Sequence, residues 1–353
     1  MNSKQSSNIC FTKTLDEVLL PFVNDSDKVV IFCDKNTRKH CLPLLLESLP
    51  QLAEAPVITI EAGDEVKTLS TVESLWNQMM QLGVTRHSLL INLGGGVVTD
   101  LGGFAAATYQ RGIRFVNIPT SILAIVDASV GSKTGFNFGG LKNQIGLFAP
   151  AACVAIDLRF LATISEGEFY AGWAEMLKHA LLTNEKMVVD TIKTNYESLG
   201  QQKFLNLLKR NVKVKQHYAA NDPHDLGLRH ALNLGHTFAH AFEALMVKKG
   251  YRPISHGTAV MWGLLCALYL SVVKFNFPKQ YLQWLMPLAK NEFAPIAFDC
   301  NDYETILALM KNDKKNEFGK IYFTLLGDLG DVRVKQEVAK EEIFEALDFI
   351  REN

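Results

Sequence analysis

Paired cysteines, excess charge and long apolar runs are all scarce in this sequence. Cys10, Cys33, Cys41, Cys153, Cys266 and Cys300 lie far apart with no CxxC spacing, which argues against a disulfide framework and suits thiols kept reduced in a cytosol. A formal net charge of −1 supplies no global field for nucleic acid or an anionic membrane, so any charged partner must be met locally. The longest apolar run, 258–273, falls short of the roughly 20 residues that span a bilayer and fits a buried helix. The polar start MNSKQSSN has no apolar signal core, and there is no internal repeat, low-complexity tract or long Pro/Gly linker. The expectation is a cytoplasmic protein acting on a small molecule, with neither nucleic acid nor membrane as partner.

At 353 residues the chain exceeds the roughly 250 to 300 at which a single core stops growing, so two domains are expected. In the first part, short β-rich runs at 29–33, 57–60, 89–93 and 115–118 alternate with helical periodicity at 37–49 and 69–82. That alternation predicts an α/β domain on a mostly parallel, Rossmann-like sheet. Beyond about residue 160 strands nearly vanish, and 174–182, 203–218, 231–248 and 258–273 read as helices, predicting an all-α second domain. The division expected is 1–160 and 161–353.

Strand LLINL runs directly into Gly94, Gly95 and Gly96 and then a helix-like segment. Glycines let the backbone approach a phosphate, and a helix start offers free N–H groups and a positive dipole end. The turn is not the GxGxxG fingerprint, and a tight strand-to-helix bend accounts for it equally well. Asp34, ending strand VVIFC, is placed to meet a ribose hydroxyl in a doubly wound sheet, or simply to form a turn.

Arg229, Asn233, His236 and His240 recur at helical spacing, predicting one polar stripe on a helix flanked by Leu232, Leu234, Phe238 and Phe242. The i, i+4 histidines of HTFAH have the spacing of a helical metal pair but lack the Glu of HExxH, which argues against a metalloprotease. Solvated or capped histidines are the commoner outcome. Glu175 and Lys178 share one helix face, where a surface ion pair is the ordinary explanation. Lys133 in SVGSKTGFN, and Lys142 with Asn143 in GGLKNQIG, sit in glycine-rich surroundings that suit capture of phosphate or carboxylate, although a plain surface turn explains any one of them.

Taken together, GGGVVTDLGGFAAATYQRG, IPTSILAIVDASVGSKTGFN, LKNQIGLF, AGWAEMLKH, DLGLRHALNLGHTFAHAFE, SHGTAVMWG and MKNDKK resemble, in order and spacing, the 3-dehydroquinate synthases, from about Asp34 to Lys315. The resemblance implies an N-terminal NAD-binding domain, a C-terminal helical domain that binds metal and substrate, and a homodimer. It implies one divalent metal, zinc or cobalt, held by Glu175, His236 and His256, with His240 on the substrate side handling protons rather than ligating. By the same resemblance Lys67, Arg111, Lys133, Lys142, Asn143, Arg229, Asn233 and Lys315 bind a substrate that carries both phosphate and carboxylate, with Arg111 reaching across the dimer. Asp127, Lys178 and Lys215 accompany His240 in catalysis. Asp34, Asn36, Gly94, Gly95, Gly96, Asp100, Thr120 and Ser121 match cofactor-contacting positions.

The implied reaction turns 3-deoxy-D-arabino-heptulosonate 7-phosphate into 3-dehydroquinate and phosphate, the second step of the shikimate pathway. It proceeds by transient oxidation, phosphate elimination, re-reduction, ring opening and aldol closure, with NAD regenerated each turnover. The chain departs from the family pattern at Ser132, where SVGGKT is usual, at Asp64, at Gly167 and in a longer 247–254 segment. The competing readings are a sister sugar-phosphate cyclase (2-deoxy-scyllo-inosose or 2-epi-5-epi-valiolone synthase type), a metal-dependent polyol dehydrogenase, and an NAD-binding protein without catalysis.

Overall fold

The computed structural model describes residues 7–139, 141–311 and 320–353. These divide into two compact units, 1–168 with 199–216, and 169–198 with 217–353. A division at 160/161 therefore misses the return of 199–216 to the first unit.

The first unit contains β1 (Asn8–Phe11), α1 (Leu15–Asn24), β2 (Val29–Asp34), α2 (Lys35–His40), α3 (Leu42–Ser48), β3 (Val57–Ile60), α4 (Leu69–Gln81), β4 (Leu89–Gly94), α5 (Gly96–Thr108), β5 (Arg114–Pro119), β6 (Lys133–Phe138), β7 (Leu141–Phe148) and β8 (Cys153–Ile156). Six strands form one sheet in the order β1-β8-β5-β4-β2-β3, and every pairing in it is parallel. Strand β4 is buried along its whole length, as a near-continuous apolar run between two helical layers should be. The run predicted as one helix at 37–49 is split into α2 and α3 at Cys41.

Inside this apolar sheet Asn92 of β4 lies opposite Asn117 of β5. Its amide nitrogen donates to the Asn117 oxygen over 2.9 Å. Gly102 of α5 makes room for the pair, since a Cβ there would sit 1.9 Å from Asn92 Oδ1.

From β2 the chain steps outward to β3 and then returns to β4 on the other side of β2. That reversal makes the carboxyl ends of β2 and β4 the switch point at which doubly wound sheets bind ligands. Strands β6 and β7 form a separate antiparallel hairpin in which Gly135 faces Gly146. A Cβ on either glycine would meet the opposing backbone at 2.3 Å, so the two strands approach only because both are glycine.

The second unit holds most of α6 (Glu166–Leu181), then α7 (Glu185–Ile192), the end of α8 (Gln202–Asn221), α9 (His236–Lys248), α10 (His256–Phe275), α11 (Gln280–Glu292), α12 (Tyr303–Lys311), β9 (Tyr322–Asp328), β10 (Asp331–Glu337) and α13 (Lys340–Glu352). It is mainly helical but not all-α, because β9 and β10 pair as an antiparallel hairpin. The alternating exposure along DVRVKQE of β10 is the period-2 signature of a strand with one covered face. By length and composition α10 could cross a membrane, yet 72% of its apolar window is buried, and it packs against α9, α11, α13 and β9.

The predicted helix at 231–248 does not run through. Residues Leu228–Asn233 form a 3-10 turn, and α9 starts only at His236, after Gly235 in the left-handed region at φ 78°. A Cβ on Gly235 would lie 2.8 Å from Leu264 N of α10, so glycine is required here for both conformation and clearance. The polar residues from Arg229 to His240 are consequently not one stripe on one helix.

Candidate active site

In the second unit, three helices bring Glu175, His236 and His256 together. Glu175 lies within α6, and the two histidines are the first residues of α9 and α10. Gly257, next to His256, is pressed so closely on α6 that a Cβ would come within 2.2 Å of Ala171 Cα. Ala171 is one turn before Glu175, so this contact sets the distance between the carboxylate and the imidazole. The N-cap Ser255, whose Oγ accepts from Thr258 N at 3.1 Å, fixes the start of α10.

Glu175 Oε1 is 3.3 Å from Nε2 of both His236 and His256, and the three donor atoms lie within 4.8 Å of one another. Around a tetrahedral zinc with bonds of about 2.0 Å, neighbouring donors stand about 3.3 Å apart, so the triangle has the right size. The chemistry agrees. His236 Nδ1 is 3.2 Å from the carbonyl of Leu234 and His256 Nδ1 is 3.1 Å from Glu243 Oε1. Each Nδ1 partner accepts only, so in the neutral ring the proton sits on Nδ1 and Nε2 is left to face an ion held against the Glu175 oxygen. Such a cluster needs a cation or a proton at its centre.

Glu175 and Lys178 are both buried, at 0% and 1% exposure, and ion-paired; the surface-pair reading is overturned. Burial alone would raise the Glu175 carboxyl, but Lys178 and the two histidines hold it well below the usual range. The histidines separate. Burial and the Lys178 charge push His236 down to about 4, whereas for His256 burial is outweighed by the hydrogen bonds its ring donates to the Glu175 and Glu243 carboxylates, which lift it to about 9. His240 stands one turn beyond His236, ring centroids 5.6 Å apart, outside the donor triangle.

Arg229 is almost fully buried and is held by an anchored loop. Asp222 accepts from the backbone N–H of Leu226, Gly227 and Arg229 at 2.9, 2.7 and 3.0 Å, and Arg229 Nη1 donates to Pro223 O. Although burial opposes it, those backbone donors depress the Asp222 carboxyl to about 2. Asn233 closes the 3-10 turn and lines a small recess with His230, Thr237, Tyr322, Phe323 and Lys335.

In the first unit, β4 passes through Gly94 and Gly95 into α5. A Cβ on Gly94 would strike Val98 at 2.5 Å, whereas one on Gly95 would touch only Ser121 Oγ, at 3.5 Å. Gly94 is thus fixed by packing, and Gly95 leaves a bare backbone cradle at the helix start, a fit for a pyrophosphate. Thr120 N donates to Gly94 O, and Ser121 Oγ accepts from Ala124 N, tying the end of β5 to the same turn. Asp34 caps α2, accepting from Thr37 N at 2.8 Å, and Asn36 follows within that helix. Both lie at the carboxyl end of β2, beside β4.

Buried Lys67 donates to Asp100 Oδ2 of α5 at 2.6 Å and also to Asn143 Oδ1; burial raises the Asp100 carboxyl despite that lysine. Lys142 pairs with Asp64 at 3.3 Å. Asp127 lies in a one-turn π-helix, Ala124–Ala128, a distortion frequent at functional sites. Lys215 donates to its Oδ1 at 2.5 Å and to its carbonyl at 2.6 Å. Lys133 opens β6 just after Ser132, whose φ is 66°. A Cβ in that region costs roughly 1–2 kcal/mol, so Ser132 holds the loop before Lys133 under strain that glycine would not carry. Arg111 is exposed, with φ 69° in a tight turn. Lys315 falls outside the described residues.

Sequence reasoning missed Glu243. It stands seven residues after His236 in α9 and so on the same helix face, a spacing that was available.

The sequence profile of the 3-dehydroquinate synthase N-terminal domain matches residues 57–171, and that of the C-terminal domain matches 172–316. The chain is 44% identical over 353 residues to a 3-dehydroquinate synthase of Parabacteroides distasonis, covering 99% of both. It is 36% identical to a bifunctional 3-dehydroquinate synthase/phosphatase of Fusobacterium nucleatum, spanning 94% of this chain and 50% of that protein. Among solved structures, 2-epi-5-epi-valiolone synthase from Streptomyces hygroscopicus with NAD+ and Zn2+ bound superposes with a TM-score of 0.83 at 25% identity, covering 100% of this chain and 98% of that one. A 2-deoxy-scyllo-inosose synthase complexed with carbaglucose-6-phosphate, NAD+ and Co2+ shares the fold, with a TM-score of 0.80 at 23% identity and full coverage of both chains.

Proposed function

The chain belongs to the 3-dehydroquinate synthase family, and we infer from that premise that it is an NAD- and metal-dependent lyase. It converts 3-deoxy-D-arabino-heptulosonate 7-phosphate into 3-dehydroquinate and phosphate. The observation that carries this reading is the Glu175–His236–His256 donor triangle in a chain that matches a 3-dehydroquinate synthase end to end. When bound, NAD supplies a reversible hydride acceptor and the divalent ion, zinc or cobalt, supplies Lewis acidity at a substrate hydroxyl.

The residues divide the remaining work. Glu175, His236 and His256 hold the ion, and three protein ligands leave it open to substrate oxygens, as a catalytic site requires. Gly94, Gly95, Gly96 and Asp100, with Thr120, Ser121, Asp34 and Asn36, form the NAD site at the switch point of the sheet. Buried Lys178 offsets the Glu175 charge. Asp127, held at its carboxylate and its carbonyl by the one Lys215 ammonium, orients reacting hydroxyls, and His240 moves protons beside the ligand His236. Arg229, Asn233, Lys67, Lys133, Lys142, Asn143 and Lys315 take the substrate's anionic and hydroxyl groups, and Arg111 completes the pocket of a second subunit in a homodimer. The six free cysteines suit a cytoplasmic setting.

The test is phosphate release by purified protein with NAD, zinc or cobalt and the heptulosonate phosphate, with NADH followed by absorbance. Phosphate and dehydroquinate without net NADH are expected. Turnover of sedoheptulose 7-phosphate or glucose 6-phosphate instead would move the chain to a sister cyclase, and accumulating NADH would make it a dehydrogenase.

A further inference from the structure

Glu243 is a buried carboxylate, 6% exposed, to which the function above gives no task. It projects from the second turn of α9, and its Oε1 lies 3.1 Å from Nδ1 of His256. The opposite nitrogen of that ring, Nε2, faces Glu175 Oε1 at 3.3 Å. The imidazole is therefore gripped at both ends along one line running from Glu243 through His256 to the centre of the donor triangle. The other histidine is treated differently, because His236 Nδ1 meets a neutral carbonyl, that of Leu234.

We propose that Glu243 is a positioning residue for the metal, holding the proton of His256 on Nδ1 so that Nε2 presents its lone pair. Its negative charge makes His256 the stronger donor of the pair. A carboxylate behind a ligating histidine fixes the ring and raises its basicity, and its loss typically weakens metal binding about 10- to 100-fold. The carbonyl behind His236 fixes orientation without adding charge. The ligand set is thereby asymmetric: Glu175 and His256 carry the electrostatic attraction, and His236 completes the geometry.

This rests on Glu175, His236 and His256 being the ligands, and the experiment separates the two statements. Apo protein prepared by chelation is titrated with zinc against a chromophoric competitor, and histidine-selective nitrogen NMR reads the tautomer of His256. Wild-type uptake of one zinc, lost in His256→Ala, supports the ligand set; no uptake, or uptake unchanged in His256→Ala, sinks both. Glu243→Ala is expected to bind zinc about 10- to 100-fold more weakly and to lose the fixed Nδ1 proton. Glu243→Gln, whose amide oxygen still accepts that proton, should keep the tautomer and lose only part of the affinity. Should the alanine variant fail to fold, the glutamine variant decides alone. Wild-type zinc affinity in Glu243→Gln and in any folded Glu243→Ala, or an unchanged His256 tautomer in the folded alanine protein, would overturn the role.

Discussion

The glycine turn of the first unit and the donor triangle of the second use opposite materials. At Gly94–Gly96 the groups proposed to work are backbone N–H donors, with Gly94 fixed by packing against Val98 and Gly95 left open. Around Glu175 the working groups are side chains, all on helices, with Glu175 and Lys178 withdrawn from water and balanced charge against charge. Glycines serve both places for different reasons. Gly95 leaves open space at the start of α5, whereas Gly235 and Gly257 clear space for neighbouring helices and so set where His236 and His256 stand. A backbone site tolerates sequence change around it, while a buried ionic site fails when one member leaves, because the remaining charges stay buried and unmatched.

The most severe break in that comparison is His256→Ala, which should abolish zinc binding and turnover while circular dichroism stays native; metal content by emission spectrometry decides it. Next comes Arg229→Ala, expected to weaken substrate binding by about 100-fold, or roughly 2.7 kcal/mol, with NAD binding intact by fluorescence titration. The two glycines sharpen the contrast. Gly257→Ala, forced against Ala171, should lower stability by about 1–3 kcal/mol in denaturant titrations. Gly95→Ala has a compatible φ of −74° and should leave stability within roughly 0.5 kcal/mol while weakening NAD about tenfold, since its methyl occupies the cradle.

The smallest effect concerns acid. The Asp222 carboxyl titrates near 2 in the folded protein against its ordinary 3.8, so its stabilising contribution is complete above about 4 and vanishes as pH falls through 2. Asp222→Asn should lower the thermal midpoint at neutral pH and flatten that acid limb. A variant with an unchanged limb would show that the loop carrying Arg229 is anchored by something else.

Much of the fold was legible because the strands of a parallel sheet are buried on both faces. The runs at 29–33, 57–60, 89–93 and 115–118 became β2, β3, β4 and β5 within a residue or so. The hairpin β6–β7 was not read as strands, because glycines occupy its facing positions and β7 is largely exposed, which erases the alternation that marks a half-buried strand. β9–β10 was missed although its alternation is present. Helical spacing from Arg229 to His240 was real in the sequence but misleading, since nothing in periodicity reports that Gly235 adopts positive φ. The pairing of His256 with Glu175 and Glu243 is a tertiary fact across 81 and 13 residues, beyond the reach of any local pattern.

The amide pair Asn92–Asn117 bears on the cofactor turn from a distance. In a sheet of aliphatic residues, strands of similar apolar content can pair in more than one alignment at little cost. A shift of β4 against β5 by one residue would turn both amides to opposite faces and strand their polar atoms in hydrocarbon, at roughly 1–3 kcal/mol each. The pair thus serves as an indexing mark between the two strands. Because Gly94 lies two residues beyond Asn92, and Thr120 three beyond Asn117, the same mark determines which backbone groups arrive together at the open end of the sheet.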